Sequence, residues 1–311
     1  MKVCIIVPVF NSEASLPQLV ARLEAVLGGL GDDFELLLVN DANRDASWQA
    51  IEEAARGRPW IRGVDLMRNY GQHNALLCGV KLARYDVIVM MDDDLQHPPE
   101  EIPTLLNKLS EGYDVVYGVP REERHQMWRN IGSRLTKLTL QTAMGAETAR
   151  RISSFKAFRT GLRNAFAEYS GPFVYIDALF AWGTTRFGSV VVRHDLRTTG
   201  TSNYSLSKLV SHAFTMMTAF TAVPLQIASL IGSVFMALGG ILLAYVLIAH
   251  FPHDSTVPGF TFLAAVISIF SGVQLFSPGM IGEYLVRMHF RLMGKPDYVV
   301  RRTIEGGVES N

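Results

Sequence analysis

Along the first 118 residues short β-branched runs alternate with longer stretches in which apolar positions recur at helical spacing. Val3–Val9, Phe34–Val39, Ile61–Leu66, Val87–Met91 and Val115–Tyr117 have the length and composition of buried strands. Between them, Leu16–Leu27, Ser47–Arg56, Asn74–Ala83 and Glu101–Leu109 show helical periodicity. Strand and helix in alternation predict an α/β domain with a mainly parallel sheet covered on both faces. Ligands of such sheets sit at the carboxyl ends of the strands. The polar residues there are Asn11 and Ser12, Asn40 and Asp41, and the run Asp92 to Gln96.

From about Glu122 to Gly145 the pattern is helical with Arg and Lys on one side, and Val174–Leu179 and Ser189–Val192 read as two short strands. Residues 205–221 place Leu206, Leu209, Val210, Phe214 and Met217 on one helical face, as in a helix lying along a bilayer. Two apolar stretches follow, Ala222–Ala249 and Pro258–Gly282, each long enough to cross about 30 Å of hydrocarbon. The expected division is a large α/β domain over 1–200, a juxtamembrane segment over 201–221, two transmembrane helices over 222–283 and a basic tail over 284–311. The loop His250–Val257 has no Lys or Arg, whereas Arg287, Arg291, Lys295, Arg301 and Arg302 follow the second stretch. That asymmetry places both ends of the hairpin, and the large domain, on the cytoplasmic side.

Charge adds little at the global level. The 29 basic and 29 acidic residues cancel, so no overall field recruits nucleic acid. The two cysteines, Cys4 and Cys78, fall in apolar surroundings and read as reduced, structural thiols. The N-terminal apolar run is too brief for a signal peptide, and Asn11-Ser12-Glu13 stand where small cleavage-site residues belong.

Locally, charge is more informative. Asp92, Asp93 and Asp94 are adjacent at the end of an expected buried strand, where they repel one another unless a cation lies between them. Hard oxygen donors in an open arrangement suit Mg²⁺ or Mn²⁺ completed by a substrate diphosphate. Taken alone, the triplet fits equally well a solvated acidic turn capping the helix that starts near Pro98-Pro99.

The triplet resembles the DxD motif of glycosyltransferases with the GT-A fold. The wider resemblance is to glycosyltransferase family 2, in its polyprenyl-phosphate branch. It runs through Ile6-Val-Pro-Val-Phe-Asn11, Val39-Asn-Asp41, Arg68-Asn-Tyr-Gly71, the stretch from Met91 to Glu100, and Tyr113-Asp-Val-Val-Tyr-Gly118. Ser154-Phe-Lys-Ala-Phe-Arg159, Arg197-x-x-Gly-x-Ser-x-Tyr204, Val273-Gln274 and Gly282-Glu-Tyr284 extend it over nearly the whole chain.

The resemblance implies a GT-A, Rossmann-like catalytic domain that moves a sugar from a nucleotide-sugar, UDP-linked in the expected case, to a polyprenyl phosphate with inversion. It implies Pro8 and Phe10 beneath the nucleotide base, Asp41 as the base-reading carboxylate, and Ser12 and Asp93 as further donor contacts. Asp92 and Asp94 match the metal-diphosphate pair, with Gln96 as the neighbouring ligand, and Arg121 matches the basic residue that meets the diphosphate. Arg129, Ser133 and Arg197 match acceptor-phosphate residues. A divalent cation, Mg²⁺ or Mn²⁺, is the implied cofactor. Undecaprenyl phosphate in the bacterial inner membrane is the implied acceptor, and a homo-oligomer, often a tetramer, the implied assembly.

Several positions depart from the pattern. Ser12 stands where many members have Glu, Ala42-Asn43 where Gly-Ser is usual, Asn203 where Lys is frequent, and Ser153-Ser154 at a place that faces the sugar. The Ala42 substitution matters physically, because a positive-φ turn there has to be made without glycine. Two rival readings carry less weight. A processive polysaccharide synthase needs a Gln-x-x-Arg-Trp motif, but Asn130 follows Gln126 and Arg129 here. A catalytically inactive sugar-binding scaffold is expected to lose acidic residues that this chain keeps.

Overall fold

The computed structural model describes residues 2–29, 31, 34–121, 152–169, 174–195, 223–250, 260–306 and 308–310. Its centre is built from β1 (Val3–Val9), β2 (Phe34–Asn40), β3 (Ile61–Leu66) and β4 (Val87–Met90), all parallel. The helices α1 (Leu16–Leu27), α2 (Ser47–Ala55), α3 (Gln72–Leu82) and α4 (Ile102–Ser110) connect and cover them. Every residue of β1 is buried, as expected of a strand with helices on both sides. Val3, Ile5, Val7 and Val9 join the core beneath α1, α2 and α4, while Cys4 and Ile6 point into the core beneath α3. Each fully buried side chain of this size contributes about 1.5–3 kcal/mol, so the alternation fixes the register firmly.

The full sheet has nine strands in the order β7-β5-β6-β4-β1-β2-β3-β8-β9, adding β5 (Val115–Pro120), β6 (Lys156–Arg159), β7 (Phe187–Val192), β8 (Val300–Glu305) and β9 (Val308–Ser310). From β1 the chain runs outward through β2 and β3 on one side, then returns to place β4 on the other. The two directions diverge between β1 and β4, where the crevice of a doubly wound sheet opens.

Two elements differ from the sequence expectation. Val174–Leu179 is not a strand: Ile176–Gly183 forms helix α5, burying Ile176, Leu179 and Phe180 against α3 and β4. A short apolar run carries no periodicity long enough to separate the two states, and here tertiary packing decides. The antiparallel strand β6 lies between β4 and β5 although its sequence, Lys-Ala-Phe-Arg, begins and ends on charge. It is admitted because Lys156 finds a buried partner, described below.

Two long helices follow, α6 (Val223–His250) and α7 (Phe260–Leu292). They pack on each other through Phe235 and Phe270, whose rings meet edge to face at 6.1 Å, with Gly239 giving Phe270 room. Among the described residues, one stretch is long and apolar enough to cross a membrane by length and composition: Val223–Ile241, 19 residues with mean hydropathy 1.6. After α7 the chain returns to the sheet. The 284–311 segment, expected as a basic tail, supplies β8, which pairs antiparallel with β3, and β9 beside it. Its charges are matched in register, Arg62 opposite Glu305 and Asp65 opposite Arg302.

Candidate active site

Four loops at the carboxyl ends of β1 to β4 enclose a cleft of about 310 Å³. Its walls are Pro8, Val9 and Phe10 from β1, Asp41 after β2, Asn69, Gly71 and Gln72 between β3 and α3, and Asp92, Asp93 and Asp94 after β4. Phe10 is half exposed (49%), so an aromatic face is available at the rim. Asp41 is buried, and both of its oxygens are held: Tyr70 N–H donates to Oδ1 at 2.7 Å and Gly71 N–H to Oδ2 at 2.8 Å. Burial pushes its carboxyl up from the ordinary value, against the pull of those two amides. Gly71 has φ 92°, which lets the chain turn sharply into α3.

The three aspartates do not act as a unit. Asp93 turns towards the β1 loop, where its Oδ2 accepts from Phe10 N–H at 3.3 Å and from the Ser12 hydroxyl. Burial pushes the Asp93 carboxyl up to about 6. Asp92 Oδ1 accepts from Gln72 Nε2 at 2.7 Å, and Asp92 also bonds the Ser154 hydroxyl. Burial raises its carboxyl, the neighbouring Asp94 adds to the rise, and Lys156 opposes it.

Lys156 lies within the sheet near Asp92, ion-paired with Asp177; both side chains are 3% exposed. The Tyr117 hydroxyl donates to the same Asp177 oxygen at 3.0 Å.

Among the described residues no group of three His, Cys, Asp or Glu side chains is close enough to share a metal. A divalent cation nevertheless fits the donor set. Asp92 and Asp94 present hard oxygens in one cleft, and the burial and neighbouring Asp94 charge that raise the Asp92 carboxyl are what a cation relieves. Mg²⁺-type sites commonly use one or two carboxylates and leave the remaining positions to water and substrate phosphate.

The sequence model of glycosyl transferase family 2 matches residues 4–176, from the start of β1 to the start of α5, and so takes in all four cleft loops. The chain belongs to glycosyl transferase family 2. It is 37% identical over 306 residues to the undecaprenyl-phosphate 4-deoxy-4-formamido-L-arabinose transferase of Pseudomonas paraeruginosa, covering 97% of this chain and 90% of that protein. The transferase of the same name from Pectobacterium atrosepticum is 35% identical over 306 residues, covering 97% and 93%. Among solved structures, glucosyl-3-phosphoglycerate synthase from Mycobacterium tuberculosis, in complex with Mn²⁺, UDP-glucose and phosphoglyceric acid, superposes with a TM-score of 0.53. At 17% identity, over 70% of this chain and 78% of that one, the likeness shows a shared fold.

In this family-2 glycosyltransferase the fold brings Pro8, Phe10, Asp41, Asp92, Asp93 and Asp94 together, as their motifs suggested. Ser12 is buried behind the loop, its hydroxyl engaged by Asp93 and the Phe10 carbonyl. Gln96 is not a wall residue of the cleft; its N–H donates to Asp94 Oδ1 at 3.1 Å and its carbonyl accepts from Asp195 N–H at 2.8 Å. Arg121 is exposed just past β5, likewise outside the cleft walls. Arg129, Ser133 and Arg197, with the 205–221 helix, lie outside the described residues. Sequence reasoning assigned no role to Asn69, Gly71 or Gln72, although Arg68-Asn-Tyr-Gly71 was visible as a motif. It also left Lys156 unassigned, because a lysine buried by a partner 21 positions away has no local signature.

Proposed function

We propose that this glycosyltransferase moves a sugar from a nucleotide-sugar, UDP-linked, onto undecaprenyl phosphate, inverting the anomeric centre, at the cytoplasmic face of a bacterial inner membrane. The observation that carries the reading is one cleft holding an aromatic rim, Phe10, and a buried carboxylate, Asp41, across from the Asp92–Asp94 pair. Phe10 offers a face for the base to stack on. Asp41, fixed by two backbone amides, has a spare lone pair on each oxygen with which to accept from a base N–H. Asp92 and Asp94, with Gln96 close behind them, are the residues to hold Mg²⁺ or Mn²⁺. The cation supplies charge neutralisation for the departing diphosphate. The fold neighbour bound to Mn²⁺ and UDP-glucose supports that chemistry. Arg121 is assigned to the diphosphate, and Arg129, Ser133 and Arg197 to the acceptor phosphate.

The acceptor explains what the cleft does not require. A phosphate monoester has a second pKa of about 6, so at neutral pH it arrives mostly as a dianion with no proton to remove. The protein's work is then to align two anionic substrates and shield their charge. No general base is needed, and His73, His97 and His125 have no chemical role. A single displacement, with the acceptor oxygen entering opposite the leaving diphosphate, gives inversion.

The acceptor's tail belongs in the bilayer, and α6 suits that surrounding. Ile227, Leu230, Val234, Leu238 and Ile241 follow one another at intervals of three or four and are each about half exposed or more. Such a continuous apolar stripe on a helix is a poor surface for water and a good one for lipid. We assign α6 and α7 to a membrane hairpin, in a homo-oligomer. The named relatives make 4-deoxy-4-formamido-L-arabinose the first sugar to test.

Purified protein incubated with labelled undecaprenyl phosphate and a panel of nucleotide-sugars, with Mn²⁺, Mg²⁺ or EDTA, tests the proposal. Asp94→Ala is expected to lower turnover by about 10³-fold or more with either metal, while His73, His97 and His125 variants stay active. Full-rate transfer in EDTA, or transfer only to a water-soluble alcohol, would sink the reading.

A further inference from the structure

The strand that returns from the two long helices is wired to the rim of the cleft. Arg302 in β8 stacks its guanidinium over Trp48 at 4.6 Å and donates from Nε to Asp65 Oδ2 at 3.2 Å. Asp65, in β3, is 3% exposed, and its other oxygen accepts from Asn40 Nδ2 at 2.6 Å. Asn40, at the end of β2 and equally buried, accepts in turn from Asn43 Nδ2. Asn43 Oδ1 accepts from the backbone N–H of Asn11 at 2.8 Å, and Asn11 Oδ1 accepts from Arg44 N–H at 3.2 Å. Four side chains, Arg302, Asp65, Asn40 and Asn43, thus link β8 to the residue beside Phe10 without a gap.

The two loops need such support. Asn11 has φ 56° and Ala42 across from it φ 51°, so both loops hold non-glycine residues in the left-handed region. That conformation costs about 1–2 kcal/mol for Ala42 and less for Asn11, since asparagine enters it more readily than other L-residues, and it persists when surrounding contacts over-determine it. Ser12 N–H to Ser47 Oγ at 2.8 Å and Glu13 N–H to Asp45 Oδ2 at 3.2 Å lace the same two loops together. Those bonds act locally. The chain through Asp65 runs on to β8 by hydrogen bonds, and Arg302 there also touches α2 through Trp48 and Glu52.

We propose that Asp65 is a positioning residue for the nucleotide-binding loop, pinned by Arg302, so that docking of the C-terminal strand sets the placement of Phe10 and Asn11. This rests on the reading that the donor nucleotide occupies the cleft beside Phe10. It makes the segment beyond α7 part of the donor site rather than a passive tail, and it ties donor affinity to the segment that leaves the membrane helices.

The test uses the full chain in detergent, with hydrogen exchange over peptides covering 8–15 and 40–46, and UDP with Mg²⁺ as the binding probe. Asp65→Ala is expected to speed exchange in both peptides by about tenfold and weaken UDP binding about fivefold, raising donor KM with kcat little changed. Asp65→Asn keeps an oxygen for Asn40 but turns an amide donor towards Arg302, so it is expected to loosen both peptides about as much as Arg302→Met and less than Asp65→Ala. Arg302→Met acts in the same direction and carries the prediction if Asp65→Ala does not fold. Glu305→Gln is the control, because it releases the other end of β8 from Arg62 and Arg84 without touching the relay. Unchanged exchange in the Asp65 and Arg302 variants, or equal loosening by Glu305→Gln, overturns the relay. Faster exchange with undiminished UDP binding upholds the relay and instead refutes the placement of the nucleotide beside Phe10.

Discussion

Replacing Lys156 by Met should be among the most damaging single substitutions in the catalytic sheet, although Lys is ordinarily a surface residue. Its ammonium and the Asp177 carboxylate are both 3% exposed, and the Tyr117 hydroxyl adds a hydrogen bond at 3.0 Å to the same oxygen. The ammonium also lies 5.4 Å from the Tyr117 ring centroid and 5.9 Å from that of Phe180. Removing the cation leaves a desolvated carboxylate with a hydroxyl as its remaining partner among these groups. Breaking one side of a buried pair costs about 3–5 kcal/mol, whereas replacing the whole pair by apolar groups of similar volume is often neutral or stabilising. For a domain of this size 1 kcal/mol corresponds to about 2–4 °C. Lys156→Met is therefore expected to lower Tm by about 6–20 °C. The triple change Lys156→Met, Asp177→Leu, Tyr117→Phe should recover most of the loss, since it leaves no orphaned polar atom. Thermal and urea unfolding of the detergent-solubilised protein, followed by tryptophan fluorescence, measures both. A loss below about 1 kcal/mol for Lys156→Met, the range of an exposed pair, would refute the reasoning that the pair is dry.

Ala42→Gly should raise stability by about 0.5–1 kcal/mol, because relief of the positive-φ strain exceeds the added freedom of the unfolded chain; a lower urea midpoint would contradict this. Cys78 is fully buried and its thiol is pushed up to about 12 by desolvation. At pH 8 only about one thiol in 10⁴ is then ionised. Iodoacetamide labelling of Cys78 at pH 8 should accordingly be at least about 10³-fold slower in the folded protein than in urea. Comparable rates in the two states would show the thiol to be solvated.

The central architecture could be read from residue order alone, for a simple reason. β1 to β4 are buried on both faces and α1 to α4 on one, so hydrophobic pattern and local propensity point the same way, and β1, β3 and α1 have the bounds their patterns suggested. The cleft followed from topology, since polar residues ending parallel strands converge wherever the strand order reverses. Asp92 and Asp94 were legible as a pair because they stand two positions apart in the chain. What tertiary structure alone decided are relations between residues far apart in sequence: Asp93 turned to Ser12 over 81 positions, Asp41 held by the loop after β3, and Lys156 tolerated inside a strand by Asp177. The same holds for β8, whose charged sequence reads as a tail until Asp65 and Arg62 present the opposite charges in register. Burial of a charge depends on a partner that local sequence does not display. Hydrophobic periodicity therefore determined the scaffold, and long-range electrostatic pairing determined how the site is held.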